Sequence, residues 1–496
     1  MVFADLLISR IMTIGDVQRQ SIISLSSTII ITVAGFLATM FFAHVVGPEI
    51  LGGYFLFLAY VSIVSIIGDP GIGSAVLKRI SEGVDQNEYF SAGFVMRIGL
   101  CALWTTALVI ARPYFVDLNT QGLFVLLLIA LGISAVYGGI QTGIYGTGKV
   151  GIHQIAGVID YIIKLIVQII AVTLGWYAGG LVGGFLAGMV AGTLFALRFL
   201  DLSIVRFQLR HLKNLFQFSF WSSLSSNFTV VLTYADTVLI GYFMSNTDVG
   251  IYRAAFQLAT IGNFTTMALT AALYPRISRW SAEQDFSSVE NTLMHAFTWS
   301  LILAVPACIG GVLLGDRLLY FMYGASFETG TPVLAILLVL QVVSVFAYLL
   351  SMCSGAMNKP ELVCISTLVA ALTAIILDSI LIPRLGITGA AVALLAGMSI
   401  HTLILYRGLS RSLRISLDIP AVRSICIASG LMGLLVGLLR LAIPISNVFP
   451  VILIVILGFV LYCAVLLKIN RSISREIQEL IRQLGAPWPS WFNRFA

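Results

Sequence analysis

Fourteen long apolar runs leave this chain few folds to choose from: 20–46, 52–78, 90–111, 121–145, 151–176, 179–200, 214–243, 247–275, 291–315, 332–357, 360–383, 386–410, 421–442 and 446–468. A helix needs about 20 consecutive apolar residues to cross a bilayer. Only helices and closed barrels satisfy the backbone in hydrocarbon. The runs are continuous and lack the period-two alternation of barrel strands. Composition agrees, with 59% hydrophobic and only 10% charged residues, against about 25% charged in a soluble domain. The expected fold class is all-α integral membrane with fourteen transmembrane helices.

Charge assigns the loops to sides. With the N-terminus in the cytoplasm, twenty-one of the 28 Lys and Arg residues fall inside. Four fall outside (Arg112, Arg317, Arg384 and Arg440), and Arg97, Lys164 and Arg253 lie within runs. This is the positive-inside pattern, and a missed helix in the middle would scramble it. Both termini are therefore expected in the cytoplasm, with the protein in the cell membrane. The net charge of +6 reads as an inner basic belt facing anionic lipid, and nucleic acid is not an expected partner.

Several classes drop out. The six cysteines all lie in apolar stretches, none in a CxxC pair, and the five histidines show no zinc spacing; no metal or cofactor is expected. No P-loop sequence is present. The longest outer loop, about 316–331, holds Asp316 and Glu328 and offers little room for an enzyme's active site. Residues 1–19 lack a basic leading region and a cleavage site, and read as an amphipathic lead-in. After residue 470, Ile473, Ile477, Leu480, Ile481 and Leu484 recur at helical spacing, followed by Trp488, Trp491, Phe492 and Phe495. The segment 471–496 reads as a cytoplasmic amphipathic helix with an aromatic anchor.

The body repeats itself. Leu51-Gly52-Gly53-Tyr54 opens run 2 and Val249-Gly250-Ile251-Tyr252 opens run 8. Arg79-Ile80-Ser81 and Arg276-Ile277-Ser278 close the same two runs. Leu186-Ala187-Gly188-Met189 in run 6 matches Leu395-Ala396-Gly397-Met398 in run 12. The order is conserved between halves and the offsets are near 200 residues. This predicts two six-helix lobes, 20–200 and 214–410, joined by a basic linker over 201–213, with 421–468 added as two further helices. Six is even, so the repeat is parallel and its pseudo-two-fold axis runs along the membrane normal. Paired bundles of this kind suit transport by alternating access.

Ionisable groups inside the runs are costly and face a cavity or a partner. Asp160 and Lys164 stand one turn apart, either as a structural pair or as cavity charges for a ligand or coupling ion. Asp236 and Arg253 fall at similar depths on neighbouring runs, as a structural or gating pair or as ligand contacts. Arg97 either snorkels to the surface or recognises phosphate through its planar fork. Asp378, near a helix end, reads as a rim residue. Asp69-Pro70-Gly71-Ile72-Gly73 interrupts run 2, because proline removes a backbone donor; Asp69, Pro70, Gly71 and Gly73 mark a packing kink, a hinge or a wall of a substrate path. The glycine pairs Gly138-Gly139, Gly179-Gly180 and Gly183-Gly184 are expected at close helix contacts.

Asp69-Pro70-Gly71-Ile72-Gly73 resembles the Asp-x-Gly-x-Gly segment of polysaccharide biosynthesis flippases. Tyr234 to Gly241, followed by Val249-Gly250-Ile251-Tyr252, resembles their seventh-to-eighth helix hairpin, and Asn358-Lys359-Pro360 with Ile382 to Ala391 is similar to their helix 11–12 signature. These are O-antigen and related exporters within the multidrug/oligosaccharidyl-lipid/polysaccharide superfamily. The resemblance implies flipping of a polyprenyl-phosphate- or pyrophosphate-linked glycan from the inner to the outer leaflet, through a V of two six-helix lobes. In related lipid II flippases the last two helices help house the lipid tail. The implied partners are the lipid-linked glycan and membrane lipid, with room for glycan-assembly enzymes and a coupling ion. The alternative from the same superfamily is an ion-coupled multidrug/cation antiporter, typically of twelve helices.

Overall fold

The computed structural model describes residues 16–114, 122–443, 445 and 447–483. The described secondary structure is helical throughout, with no strand among the described residues. The lead-in before residue 16 and the aromatic segment after residue 483 lie outside them. The chain divides into two compact units, Met1–Gly250 and Ile251–Ala496.

The first unit holds α1 (Asp16–Gly68), α2 (Ile72–Ser81), α3 (Gln86–Ile110), α4 (Leu123–Gly146), α5 (Val150–Thr173), α6 (Tyr177–Leu197) and α7 (Leu209–Phe243). Helix α8 (Asn246–Ala259) runs across the boundary residue. The second unit continues with α9 (Phe264–Ala282), α10 (Phe286–Tyr323), α11 (Thr331–Ala356), α12 (Pro360–Leu385) and α13 (Ile387–Leu409). It ends with α14 (Ile419–Ala442), α15 (Val448–Ile469) and α16 (Arg471–Gln483).

Eleven described helical segments are long and apolar enough to cross a membrane. Three places separate these eleven from the fourteen sequence runs, one of them run 214–243, which lies on α7 and is not among the eleven. The first two runs share α1, which bends where Gly47 adopts φ 74° and ψ 178° ahead of Pro48. Run 247–275 is divided between α8 and α9 by a 3-10 turn over Thr260–Asn263, where Asn263 donates its amide to buried Gln341 on α11.

The expected interruption of run 2 is a true break. Helix α1 ends at Gly68, Gly71 takes φ 79°, and α2 starts at Ile72. Pro70 supplies no N–H, and only a residue without Cβ holds the left-handed conformation of Gly71 cheaply.

Helices α5 and α6 show why the glycine-rich runs fold as they do. In lipid there is little hydrophobic drive between helices, so close backbone packing carries association. Gly180, Gly184, Gly188 and Gly192 recur every fourth residue along α6 and abut α5 at Ala171, Gln168, Asp160 and Ala156. A Cβ at Gly188 would lie 2.5 Å from the Asp160 backbone oxygen, and one at Gly192 3.0 Å from that of Ala156. Their partners Gly179 and Gly183 have nothing within 4 Å. In each of these two expected pairs, one glycine makes the contact and the other is spare. The two repeated openings also meet within the first unit: a side chain on Gly52 would overlap the carbonyl of Asn246, and one on Gly250 that of Pro48.

The linker is fastened rather than loose. Lys149 pairs with Asp201, Ser203 N–H donates to Asn87 Oδ1 at 2.9 Å, and Val205 N–H donates to Ser91 Oγ at 2.9 Å. At its end His211, 2% exposed, accepts the Gln208 N–H on Nδ1 and donates from Nε2 to Asp85 at 3.3 Å. Helix α7 then packs on α1, α2 and α3.

In the second unit, α14 and α15 pack on α10. Tyr462 donates to the Ile302 carbonyl at 2.7 Å, and Arg440 donates to Asp316 at 2.7 Å. Asp378, expected at a rim, is 1% exposed. It shares one stripe of α12 with Ala371, Ala374 and Ile382, all buried, so its position along the helix was misleading and its face decided.

Candidate functional site

A cavity of about 280 Å³ lies in the first unit between the end of α1, α3, α4 and α7. Its polar lining is Ser62, Ser65, Asp69, Arg97, Ser134 and Asn227. Only one of these is cationic. Arg97, 5% exposed, reaches from α3 to the break after α1 and pairs with Asp69. The other Asp69 oxygen accepts the Gly73 N–H at 2.9 Å. One carboxylate thus binds both a guanidinium and the first turn of α2, where unsatisfied N–H groups and the helix dipole favour an anion.

Glycines make the room. Cβ atoms at Gly73, Gly138 and Gly139 would stand 2.9, 3.2 and 3.5 Å from the Arg97 guanidinium nitrogens. The Arg97 Nε–H is buried and has no hydrogen-bond partner. Buried donors are normally satisfied, so this arginine keeps capacity for a further acceptor. The guanidinium is buried against the cavity; the surface is not where its charge resides.

Asp160 and Lys164 lie elsewhere, in a polar stripe on α5. His153, Asp160, Lys164 and Gln168 follow at spacings of seven, four and four residues, which places them on one face over about 22 Å. His153 Nδ1 meets Gln141 Oε1 at 2.9 Å. Asp160 accepts from the Tyr137 hydroxyl at 3.2 Å. The Lys164 ammonium lies over the Tyr161 ring at 5.2 Å and the Phe185 ring at 6.0 Å. Gln168 donates to Tyr54 at 3.1 Å and to the Leu181 carbonyl at 2.7 Å. Asp160 and Lys164 are one turn apart, yet each engages an aromatic side chain from its surroundings.

The other two candidates divide between the units. Asp236, 2% exposed, accepts from the Thr237 backbone and hydroxyl at 2.5 and 3.0 Å. Arg253 lies over the Phe256 ring at 5.1 Å. The structure therefore joins Arg97 to the Asp69–Gly73 break and sets Asp160 and Lys164 apart from them. Sequence reading missed Tyr137, Gln141, His153 and Gln168. The seven-four-four spacing of polar residues along an apolar run was the signal for His153 and Gln168, whereas Tyr137 and Gln141 stand on α4, outside that pattern.

The second unit offers a contrasting cavity. About 360 Å³ opens between α10, α11, α14 and α15, and its walls include Pro306, Gly310, Leu338, Met432 and Gly458. No ionisable side chain lines it.

These helices and the Arg97 cavity define a membrane transporter fold. The chain belongs to the polysaccharide biosynthesis protein family, whose sequence model matches residues 17–281; the MatE model matches residues 222–380. Among curated relatives, the "Probable low-salt glycan biosynthesis flippase Agl15" of Haloferax volcanii is 26% identical, covering 94% of this chain and 99% of the relative. The "Probable flippase AglR" of the same organism is 24% identical over 95% of this chain and 99% of its own. Among solved structures, the lipid II flippase MurJ in an inward closed conformation superposes with a TM-score of 0.75 at 17% identity, covering 93% of this chain and 100% of that one. A multidrug resistance MATE family transporter of the MOP superfamily, inward-facing, gives a TM-score of 0.63 at 18% identity over 79% of this chain and 97% of its own. The fold is shared with both.

Proposed function

We propose that the protein is a flippase that moves a polyprenyl-phosphate- or pyrophosphate-linked oligosaccharide from the inner to the outer leaflet, for surface polysaccharide or glycoconjugate assembly. The observation that carries this reading is Arg97: a buried guanidinium with an unused Nε–H, in a cavity whose walls set Ser62, Ser65, Ser134 and Asn227 among apolar residues such as Ile66 and Leu131. A phosphate takes paired hydrogen bonds from such a fork, and the hydroxyls suit sugar. The apolar cavity of the second unit suits a prenyl tail, in keeping with its use of the last two helices. Full-length relatives named as flippases support the same reading.

The proposed topology has fourteen crossings, two six-helix lobes over 20–200 and 214–410, helices over 421–468, and both termini in the cytoplasm. Arriving phosphate competes with Asp69 for Arg97, and Asp69 is attached to the hinge at Pro70 and Gly71; ligand binding is thereby linked to a break between helices. Asp160, Lys164, Asp236 and Arg253 are assigned to ion coupling or to the substrate path. The second reading, an ion-coupled multidrug/cation antiporter, is favoured by the MatE match over residues 222–380.

The test is reconstitution with a defined glycan-lipid, with and without ion gradients. Protection of the glycan from an externally added, non-permeant modifying enzyme should change with time only in vesicles that contain the protein. No flipping of any polyprenyl-linked glycan, together with gradient-driven efflux of a cationic drug, would overturn the proposal in favour of the antiporter.

A further inference from the structure

The second unit carries a groove separate from both cavities described above. It measures about 570 Å³ and runs between one face of α13 and the facing wall of α11, crossed by the connector to α14. Ser399, Thr402, Leu403 and Tyr406 line it from α13, at the spacing of one helix face. Val343 and Phe346 line it from α11. The Ser399 and Thr402 hydroxyls donate to the carbonyls of Leu395 and Met398 at 2.7 and 2.8 Å. With those hydroxyls satisfied internally, the groove presents a largely hydrocarbon wall.

A basic patch borders its end. Arg407 stands one turn beyond Leu403, and Arg411 and Arg414 follow in the connector that crosses the groove; all three are exposed. Lys359 reaches the same connector and donates to Ser412 Oγ at 2.6 Å. None of the three arginines makes an ion pair with a described residue. The nearby carboxylates are engaged by backbone: Glu290 accepts the Arg414 N–H at 2.6 Å, and Asp418 accepts the Ala421 N–H at 3.0 Å. One cation in the last turn of α13 complements the helix dipole, and the four cations Lys359, Arg407, Arg411 and Arg414 outnumber the two carboxylates Glu290 and Asp418 beside the connector.

A long apolar groove that ends at an excess of cations matches an amphiphile with hydrocarbon chains and an anionic head. We propose that this groove binds a membrane phospholipid with an anionic headgroup, its acyl chain against Val343, Phe346 and Leu403 and its phosphate on Arg407, Arg411 and Arg414. The site is distinct from the Arg97 cavity and does not depend on what that cavity carries. A free phosphate would leave the groove empty, and a zwitterionic lipid would leave the cations unmatched. Juxtamembrane basic residues each contribute to anionic-lipid affinity, and the contributions accumulate.

Native mass spectrometry of the full-length chain in detergent tests this directly. The protein is titrated with dioleoyl phosphatidylglycerol or dioleoyl phosphatidylcholine. Wild type should hold phosphatidylglycerol about tenfold more tightly or better. The triple variant Arg407→Gln/Arg411→Gln/Arg414→Gln should lose that preference. Thr402→Trp on one wall and Val343→Phe on the other keep the arginines and should each weaken phosphatidylglycerol binding at unchanged melting temperature. Equal binding of both lipids by wild type, a preference that survives in the triple variant, or full retention in both groove variants overturns the proposal. So does displacement of the lipid by glycerol phosphate at equal concentration, since charge alone would then account for binding.

Discussion

Arg97 on α3 and Asp69 at the end of α1 form an ion pair across 28 residues of chain, and their exposures differ. The Asp69 side chain is about one-third exposed, at 33%, and that of Arg97 is 7% exposed. Loss of either partner is therefore unequal in effect. Asp69→Ala leaves a largely buried cation without its partner, whereas Arg97→Met leaves a carboxylate that is more exposed. Breaking a fully buried pair costs about 3–5 kcal/mol; discounted for the exposure of Asp69, about 2 kcal/mol is expected for Asp69→Ala and less for Arg97→Met. Thermal melts in detergent read the order, and an equal or reversed order would refute it.

Transport should rank the cationic candidates. Arg97→Ala is expected to lower flipping tenfold or more at normal expression. Lys164→Ala, removed from the stripe on α5, should have a smaller effect, and Arg253→Ala an effect of its own size. Initial rates in reconstituted vesicles settle the ranking. Full activity in all three variants would remove these residues from the substrate path.

The spare and the contacting glycines of α6 can be told apart by one methyl group. Gly188→Ala drives a Cβ to 2.5 Å from the Asp160 backbone oxygen, and Gly183→Ala meets nothing within 4 Å. Overpacking costs about 1–3 kcal/mol, so Gly188→Ala should lower the melting temperature by several degrees and Gly183→Ala should leave it unchanged. Two neutral substitutions would show that α5 and α6 are not in backbone contact.

Asp285 caps α10 from outside the spanning segments. Its carboxylate accepts from the Ser288 hydroxyl, the Ser287 hydroxyl and the Ser288 N–H, and these bonds hold its pKa below the ordinary carboxylate value of 3.8. A depressed folded-state pKa stabilises the folded state at pH above the unfolded value, and the contribution fades as pH falls through the folded value. The stability gap between wild type and Asp285→Ala should stay constant from neutral pH to about pH 4 and narrow below it. A gap that widens on acidification would contradict the assignment.

The sequence made the helical runs legible because hydrocarbon imposes a length on every helix. Run boundaries such as 360–383 and 386–410 fall within a few residues of α12 and α13. The break at Asp69–Gly73 was legible from proline and glycine alone. What the linear order hid was direction around each helix axis. Asp160 and Lys164 feel each other's charge along α5, and the contacts with Tyr137 and Tyr161 were what the spacing did not show. Asp69 looked like part of a kink, and its role as the counter-ion of Arg97 needed α1 and α3 to be placed side by side. Asp378 was misjudged for the same reason, since depth along a helix says nothing about which face is covered.

The glycines of α6 have a mechanical consequence. Four of them, Gly180, Gly184, Gly188 and Gly192, repeat every four residues and lie on the backbone of α5. Such a surface acts as a rack with teeth of one spacing. A slide of α5 along it by one or two residues would push the bulky residues between the glycines into the partner's carbonyls. A slide of four residues, about 6 Å, would be needed to bring each tooth to the next notch, and the short turn over 174–176, with the Trp176 N–H on the Ala171 carbonyl, leaves no slack for it. The plate that carries Asp160 and Lys164 is therefore latched to α6 and travels with it.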